Sequence, residues 1–160
     1  FLNPAKSLAL RLVGTVPMVG ASSRAGRLAA RAFVASLGRM AGYPAVPFDP
    51  AYLGGGLARS AGPDDFFRDR VDEPEQWRLH TVILREEGID PVADRMRDLV
   101  AGQGVGLSEL ELEAGPDPVR FARAVAELDF VAAYLAVLLG VDPSRTRRYG
   151  MAYGQGQGER

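Results

Sequence analysis

Apolar residues recur along this chain with two alternating periods, one helical and one extended. Asn3-Pro4-Ala5-Lys6 opens a helix, with Asn3 as N-cap and Pro4 at the first helical position, and Leu8, Leu10, Leu12 and Val13 carry its apolar side to Gly14. Thr15-Val16-Pro17-Met18-Val19-Gly20 is a brief β-prone run, in which Pro17 is expected only at a sheet edge or near the strand's start. Leu28, Ala29, Ala32, Val34, Leu37 and Met40 then fall on helical spacing, which predicts a helix over 23–41 closed by Gly42. Ala45-Val46-Pro47-Phe48 is a second short strand, and residues 49–75, broken by Gly54-Gly55-Gly56 and Pro63-Asp64-Asp65, form the least regular stretch.

The second half is more sharply patterned. Residues 77–85, with Leu79, Thr81, Val82, Ile83 and Leu84, are apolar on both alternating faces, as a mid-sheet strand covered on both sides would be. An amphipathic helix follows over 91–101, then a strand over 105–113 in which Leu110 and Leu112 alternate with Glu109, Glu111 and Glu113. Asp117-Pro118 starts the longest helix, over 117–140. Its second half is almost wholly apolar, which predicts burial on most sides or a place in a subunit interface. Strands alternating with helices predict an α/β fold: a three-layer α/β/α sandwich on a mostly parallel sheet, with four strands and four or five helices.

Composition narrows the chemistry. The 160 residues suffice for one well-packed domain, and 19 basic against 20 acidic side chains leave no net field to draw nucleic acid or an anionic membrane. Without cysteine there are no disulfides, thiol nucleophiles or thiolate metal sites, and the single histidine, His80, excludes a multi-histidine site. Lys6 is the one lysine, hence the one possible lysine catalyst. No apolar run reaches the length of a membrane span, so a cytoplasmic protein without metal or cofactor is expected. The abrupt start at Phe1 reads as a piece of something longer, and the glycine- and glutamine-rich residues 149–160 as a flexible tail.

Several stretches have a familiar look. Asn3-Pro4-Ala5-Lys6-Ser7-Leu8-Ala9, the strand reaching Gly20, Gly42-Tyr43-Pro44-Ala45 and the run from Asp129-Phe130-Val131 to Val141-Asp142-Pro143 resemble the C-terminal half of the bifunctional phosphoglucose/phosphomannose isomerases. That family has the sugar isomerase (SIS) fold, and the resemblance runs from residue 3 to about 148, within a domain expected over 1–148. It implies a phosphosugar aldose–ketose isomerase domain binding a sugar phosphate, paired either with an N-terminal SIS domain or with a second copy as a homodimer. The family's catalytic glutamate, histidine and lysine align with Arg39, Gly55 and Tyr153, none of which can do the same proton transfer. The alternative reading is therefore a non-catalytic sugar-phosphate-binding or regulatory domain.

Other candidates come from local chemistry. Ser22, Ser23 and Arg24 stand where a strand becomes a helix, and free amides at a helix start suit a phosphate; the simpler role is helix capping. Asp49 and Asp129 are possible ligand contacts, a helix-face hydrogen bond being the plainer expectation for Asp129. His80 is expected to be packed and hydrogen-bonded. Asp64-Asp65, Asp72-Glu73 and Glu86-Glu87 read as solvated surface, and Arg145, Arg147 and Arg148 as a solvated tail or a contact for an acidic group.

Overall fold

The chain begins its fold at Asn3, whose side chain accepts hydrogen bonds from the amides of Ala5 and Lys6 and so starts α1 (Pro4–Leu12). A computed structural model describes residues 3–50, 78–101 and 105–144. After α1 come β1 (Thr15–Ala21), α2 (Arg24–Ser36), a π-helical turn (Leu37–Ala41), β2 (Val46–Phe48), β3 (Arg78–Glu86), α3 (Pro91–Ala101), β4 (Gly106–Leu112) and α4 (Asp117–Leu138). Among the described residues every strand pairing is parallel, and the sheet order is β2-β1-β3-β4. Residues 149–160 lie outside the described residues.

Two clusters of side chains hold the layers together. Val19, Val82, Leu84 and Leu112 turn one sheet face toward Leu12 of α1, Phe33 of α2 and Leu128 and Leu135 of α4, all buried. Ile83 and the flanking Met18, Leu79 and Leu107 face the other way, against Ala93 and Met96 of α3. Helices thus cover both faces of a parallel sheet, as the alternating periods require. Among the described residues, no helix is long and apolar enough to cross a membrane.

Three local features depart from the sequence reading. The helix expected over 23–41 widens after Ser36 into a π-helical turn, and Gly42, at φ +62°, ends it while Tyr43 N bonds Leu37 O. That ending carries Tyr43 into the core, where its hydroxyl donates to Leu12 O at 2.6 Å and accepts from Thr15 N at 3.0 Å, tying the α1–β1 connection down. Pro17 lies in an inner strand rather than at a sheet edge, but near the strand's start, the other place expected for it. It is tolerated because β2 pairs with β1 only from Met18 onward, so among the described residues Pro17 meets no strand on that side. Finally, α4 is buried on one side only. Leu128, Val131, Ala132 and Leu135 are enclosed, whereas Phe130 and Val137 remain 64% and 65% exposed, because no other described layer covers that side.

Candidate ligand-binding crevice

Between β1 and β3 the chain leaves the sheet in opposite directions: β1 leads through α2 to β2 on one side, and β3 through α3 to β4 on the other. A crevice at the carboxyl ends of two such strands is where open α/β sheets take ligands. Ser22 and Ser23 follow β1, and the connection from Glu86 to Asp90 follows β3. All of them stand at this one edge.

Asp90 organises the junction. Its carboxylate is almost fully buried, and Oδ2 accepts from Ser22 Oγ at 2.6 Å and from Glu86 N at 3.1 Å. Oδ1 accepts from Val92 N at 3.2 Å and Ala93 N at 3.0 Å, capping α3. Burial pushes the Asp90 pKa up, but the bonds from Ser22, Ala93, Glu86 and Val92 outweigh it and leave the carboxyl below its ordinary range.

Ser23 caps α2 by accepting from Gly26 N at 3.0 Å, and Arg27 Nη1 donates to Ser22 O at 2.5 Å. Among the described residues the amides of Arg24 and Ala25 find no acceptor, so two donors at the positive end of α2 lack an intramolecular partner, although Ala25 itself is buried. Gly26 lets α2 come this close: a Cβ there would lie 2.6 Å from Ala21 Cβ and 3.2 Å from Leu112 Cδ1. Arg24 itself is exposed.

Glu86 is not the solvated surface residue its charge suggests. Its carboxyl is paired with the Arg120 guanidinium of α4. The Ser23 hydroxyl is the main cause holding its pKa below the ordinary value, with Arg120 adding to this and burial opposing it. Glu87 is exposed, although its carboxylate accepts from Ala114 N at 2.8 Å. Sequence reasoning gave Glu86, Asp90 and Arg120 no part in a site. For Asp90 a signal was present, since an Asp directly before a Pro that opens a helix is a capping pattern. Arg120 reaches the crevice only through tertiary packing.

The other candidates stand elsewhere. Asp129 Oδ1 accepts from Ser36 Oγ at 2.5 Å, and Arg39 Nη2 donates to Ser36 Oγ at 3.3 Å, so both side chains tie the far end of α2 to α4 rather than lining the crevice. Asp49, exposed, follows β2 at the crevice edge of the sheet. Gly55, Tyr153, Asp64-Asp65, Asp72-Glu73, Arg145, Arg147 and Arg148 lie outside the described residues. His80, near the opposite ends of the strands, is 6% exposed with Nε2 2.9 Å from Ser108 Oγ, as expected of a packed histidine. Burial first, and then the charge of Arg11, lower its pKa. The described residues contain no cluster of three His, Asp or Glu side chains arranged to hold a metal ion.

A parallel sheet with helices on both faces and a crevice at its β1–β3 switch point makes this an open-sheet α/β domain. This chain belongs to the bacterial phospho-glucose isomerase C-terminal SIS domain family, whose model matches residues 1–148. The fold is shared with a glucose-6-phosphate isomerase like protein from Thermus thermophilus, at 22% identity and TM-score 0.68, over 88% of this chain and 45% of that one. It is shared too with the C-terminal domain of glucosamine-fructose-6-phosphate aminotransferase from Francisella tularensis, at 13% identity and TM-score 0.57, over 87% and 40%. Glucosamine-6-phosphate deaminase from Thermotoga maritima matches at 14% identity and TM-score 0.53, over 90% and 43%. The chain thus spans less than half the length of these proteins. No curated protein matches the sequence.

Proposed function

We propose that this domain supplies sugar-phosphate recognition to a phosphosugar aldose–ketose isomerase-type assembly in the cytoplasm, and that it does not itself supply the acid and base. The observation that carries the first half is the pair of amides without an intramolecular acceptor, Arg24 and Ala25, at the switch point beside Ser22 and Ser23. A phosphate set against these amides would have Arg24 at hand for a charged contact. The sugar hydroxyls would then lie near Glu86, a half-buried carboxylate suited to accepting hydrogen bonds, on the floor that Asp90 holds together. The three structural relatives named above differ in chemistry, yet each carries a hexosamine or hexose 6-phosphate in its name. A shared ligand class with divergent reactions is what a grafted site on a common fold produces.

The second half rests on residue types. Arg39 stays protonated at any working pH, Gly55 has no side chain, and the Tyr153 phenol exchanges its proton near neutrality less readily than an imidazole. Proton transfer by a placed group contributes about 10²- to 10⁴-fold each, so their absence leaves little turnover. The exposed Phe130 and Val137 on α4 favour a further covering partner, a homologous domain or a second copy of this chain.

Fructose 6-phosphate and mannose 6-phosphate titrated into the chain, with amide spectra and a coupled isomerase assay run side by side, test both halves. Saturable shifts at Arg24 and Ala25 without turnover are expected. Binding without any change at these amides would remove the crevice from the reading. Turnover within about tenfold of an ordinary enzyme, for which kcat is about 1–10³ s⁻¹, would overturn the non-catalytic half.

A further inference from the structure

On the sheet face that carries α1 and α4, a groove of about 220 Å³ runs between α1 and the outer strand β4, away from the crevice. Pro4, Ser7, Leu8 and Arg11 line it from α1, spaced so that all four share one helix face. Ser108 and Leu110 line it from β4, their side chains alternating onto that face of the sheet. Glu109 also borders the groove, but its carboxylate is held from the opposite layer, by Arg97 of α3 at 2.7 and 2.8 Å. The side chains facing the groove therefore include one cation and no anion.

Among the described residues, neither the Arg11 guanidinium nor the Ser7 hydroxyl meets an acceptor or a counter-charge. Ser108 Oγ lies 2.9 Å from His80 Nε2. In the tautomer that donates from Nε2, the Ser108 hydroxyl proton is left free to point into the groove. The groove thus combines a guanidinium, two hydroxyls and an apolar wall of Leu8 and Leu110. That is a sparse set of polar groups on an apolar lining, as in small-molecule sites.

We propose that the α1–β4 groove binds a small organic anion, its carboxylate or phosphate group on Arg11, Ser7 and Ser108 and its short apolar body between Leu8 and Leu110. The site is independent of the crevice. Its volume falls below the roughly 300–1,000 Å³ of drug-sized pockets, which limits the ligand to a few heavy atoms beyond its head group. An arginine that is open to solvent on one side binds such an anion with a dissociation constant on the order of millimolar.

The chain's one histidine contacts Ser108 of the groove wall, so its ring signals report on occupancy without labelling by mutation. Butyrate and inorganic phosphate titrated separately into the 160-residue chain at neutral pH, with the His80 ring and backbone amide resonances followed, give the test. A saturable shift of the His80 ring with either probe is expected, half-complete at about 1–10 mM. Arg11→Gln should weaken it by about tenfold, as loss of a charged contact predicts. Ser7→Trp, which fills the groove, should abolish it. Arg95→Gln, an exposed arginine on α3 across the sheet, should leave it unchanged. A ring signal that stays put or drifts without saturating overturns the proposal. So does an Arg95→Gln effect equal to that of Arg11→Gln. Shifts confined to Arg24 and Ala25 overturn it as well, while supporting the crevice.

Discussion

The hydroxyl of Ser22 donates to Asp90 Oδ2 at 2.6 Å, joining the residue that follows β1 to the residue that caps α3. Because Ser22 and Asp90 lie on the two chain segments that diverge at the switch point, this bond fixes the width of the crevice between them. Asp90 is nearly fully buried, and each of its oxygens is engaged twice. The junction is accordingly a rigid floor on which ligand contacts could be built.

Asp90→Ala should destabilise the domain by about 2–4 kcal/mol, since it removes a helix cap and leaves the Ser22 hydroxyl and the Glu86 amide without their acceptor. Urea denaturation of the two proteins measures this. Asp90→Asn should recover part of the loss because its side-chain oxygen can still cap α3. A loss under about 0.5 kcal/mol for the alanine variant would mean that the junction contributes no more than an ordinary surface site.

Glu86 places a negative charge beside the α2 N-terminus, held there by Ser23 and Arg120. A phosphate at the Arg24 and Ala25 amides would be repelled by that charge. Glu86→Gln should therefore tighten phosphate binding by about tenfold at low salt, with the gain shrinking as salt rises. Isothermal titration at two ionic strengths reads both effects. An affinity unchanged by the substitution would put the phosphate elsewhere.

Gly26→Ala would bring its methyl group within 2.6 Å of Ala21 Cβ. One of these elements must shift, so a cost of about 1–3 kcal/mol is expected despite alanine's better helix propensity. Thermal unfolding gives the sign directly: a raised Tm would show that α2 can move outward freely.

His80 links stability to pH. Its pKa is lowered in the folded state by burial and then by Arg11, from 6.5, so the unfolded chain takes up the proton first. The stabilisation is complete above pH 6.5 and is lost as pH falls below that value toward the lower folded pKa. Comparing denaturation midpoints of the protein and of His80→Gln across this window isolates the contribution from that of the carboxyls. Parallel pH profiles for the two would remove His80 as its source.

Much of the architecture was legible without coordinates. Asn3-Pro4 marks the start of α1, the doubly apolar run around Val82 and Ile83 marks an inner strand, and Asp117-Pro118 opens the longest helix, because caps and periodicity are local properties of the chain. The family resemblance at both ends of the chain likewise rests on short contiguous segments. Ser23 is legible as a cap for the same reason, and so is the pair of unpartnered amides that follows it.

What tertiary structure decided is which distant residues meet. Glu86 reads as a surface charge until α4 brings Arg120 from 34 positions away to pair with it. Ser22 is separated by 68 positions from Asp90 and becomes its partner only because β1 and β3 are neighbours in the sheet. Arg39, aligned with the family's glutamate, and Asp129, expected to make a hydrogen bond from its helix face, both meet Ser36 between two helices. Residue type, cap and period act over a few positions and are written in the sequence, whereas a crevice depends on strand order and helix packing, which bring together side chains that no local pattern links.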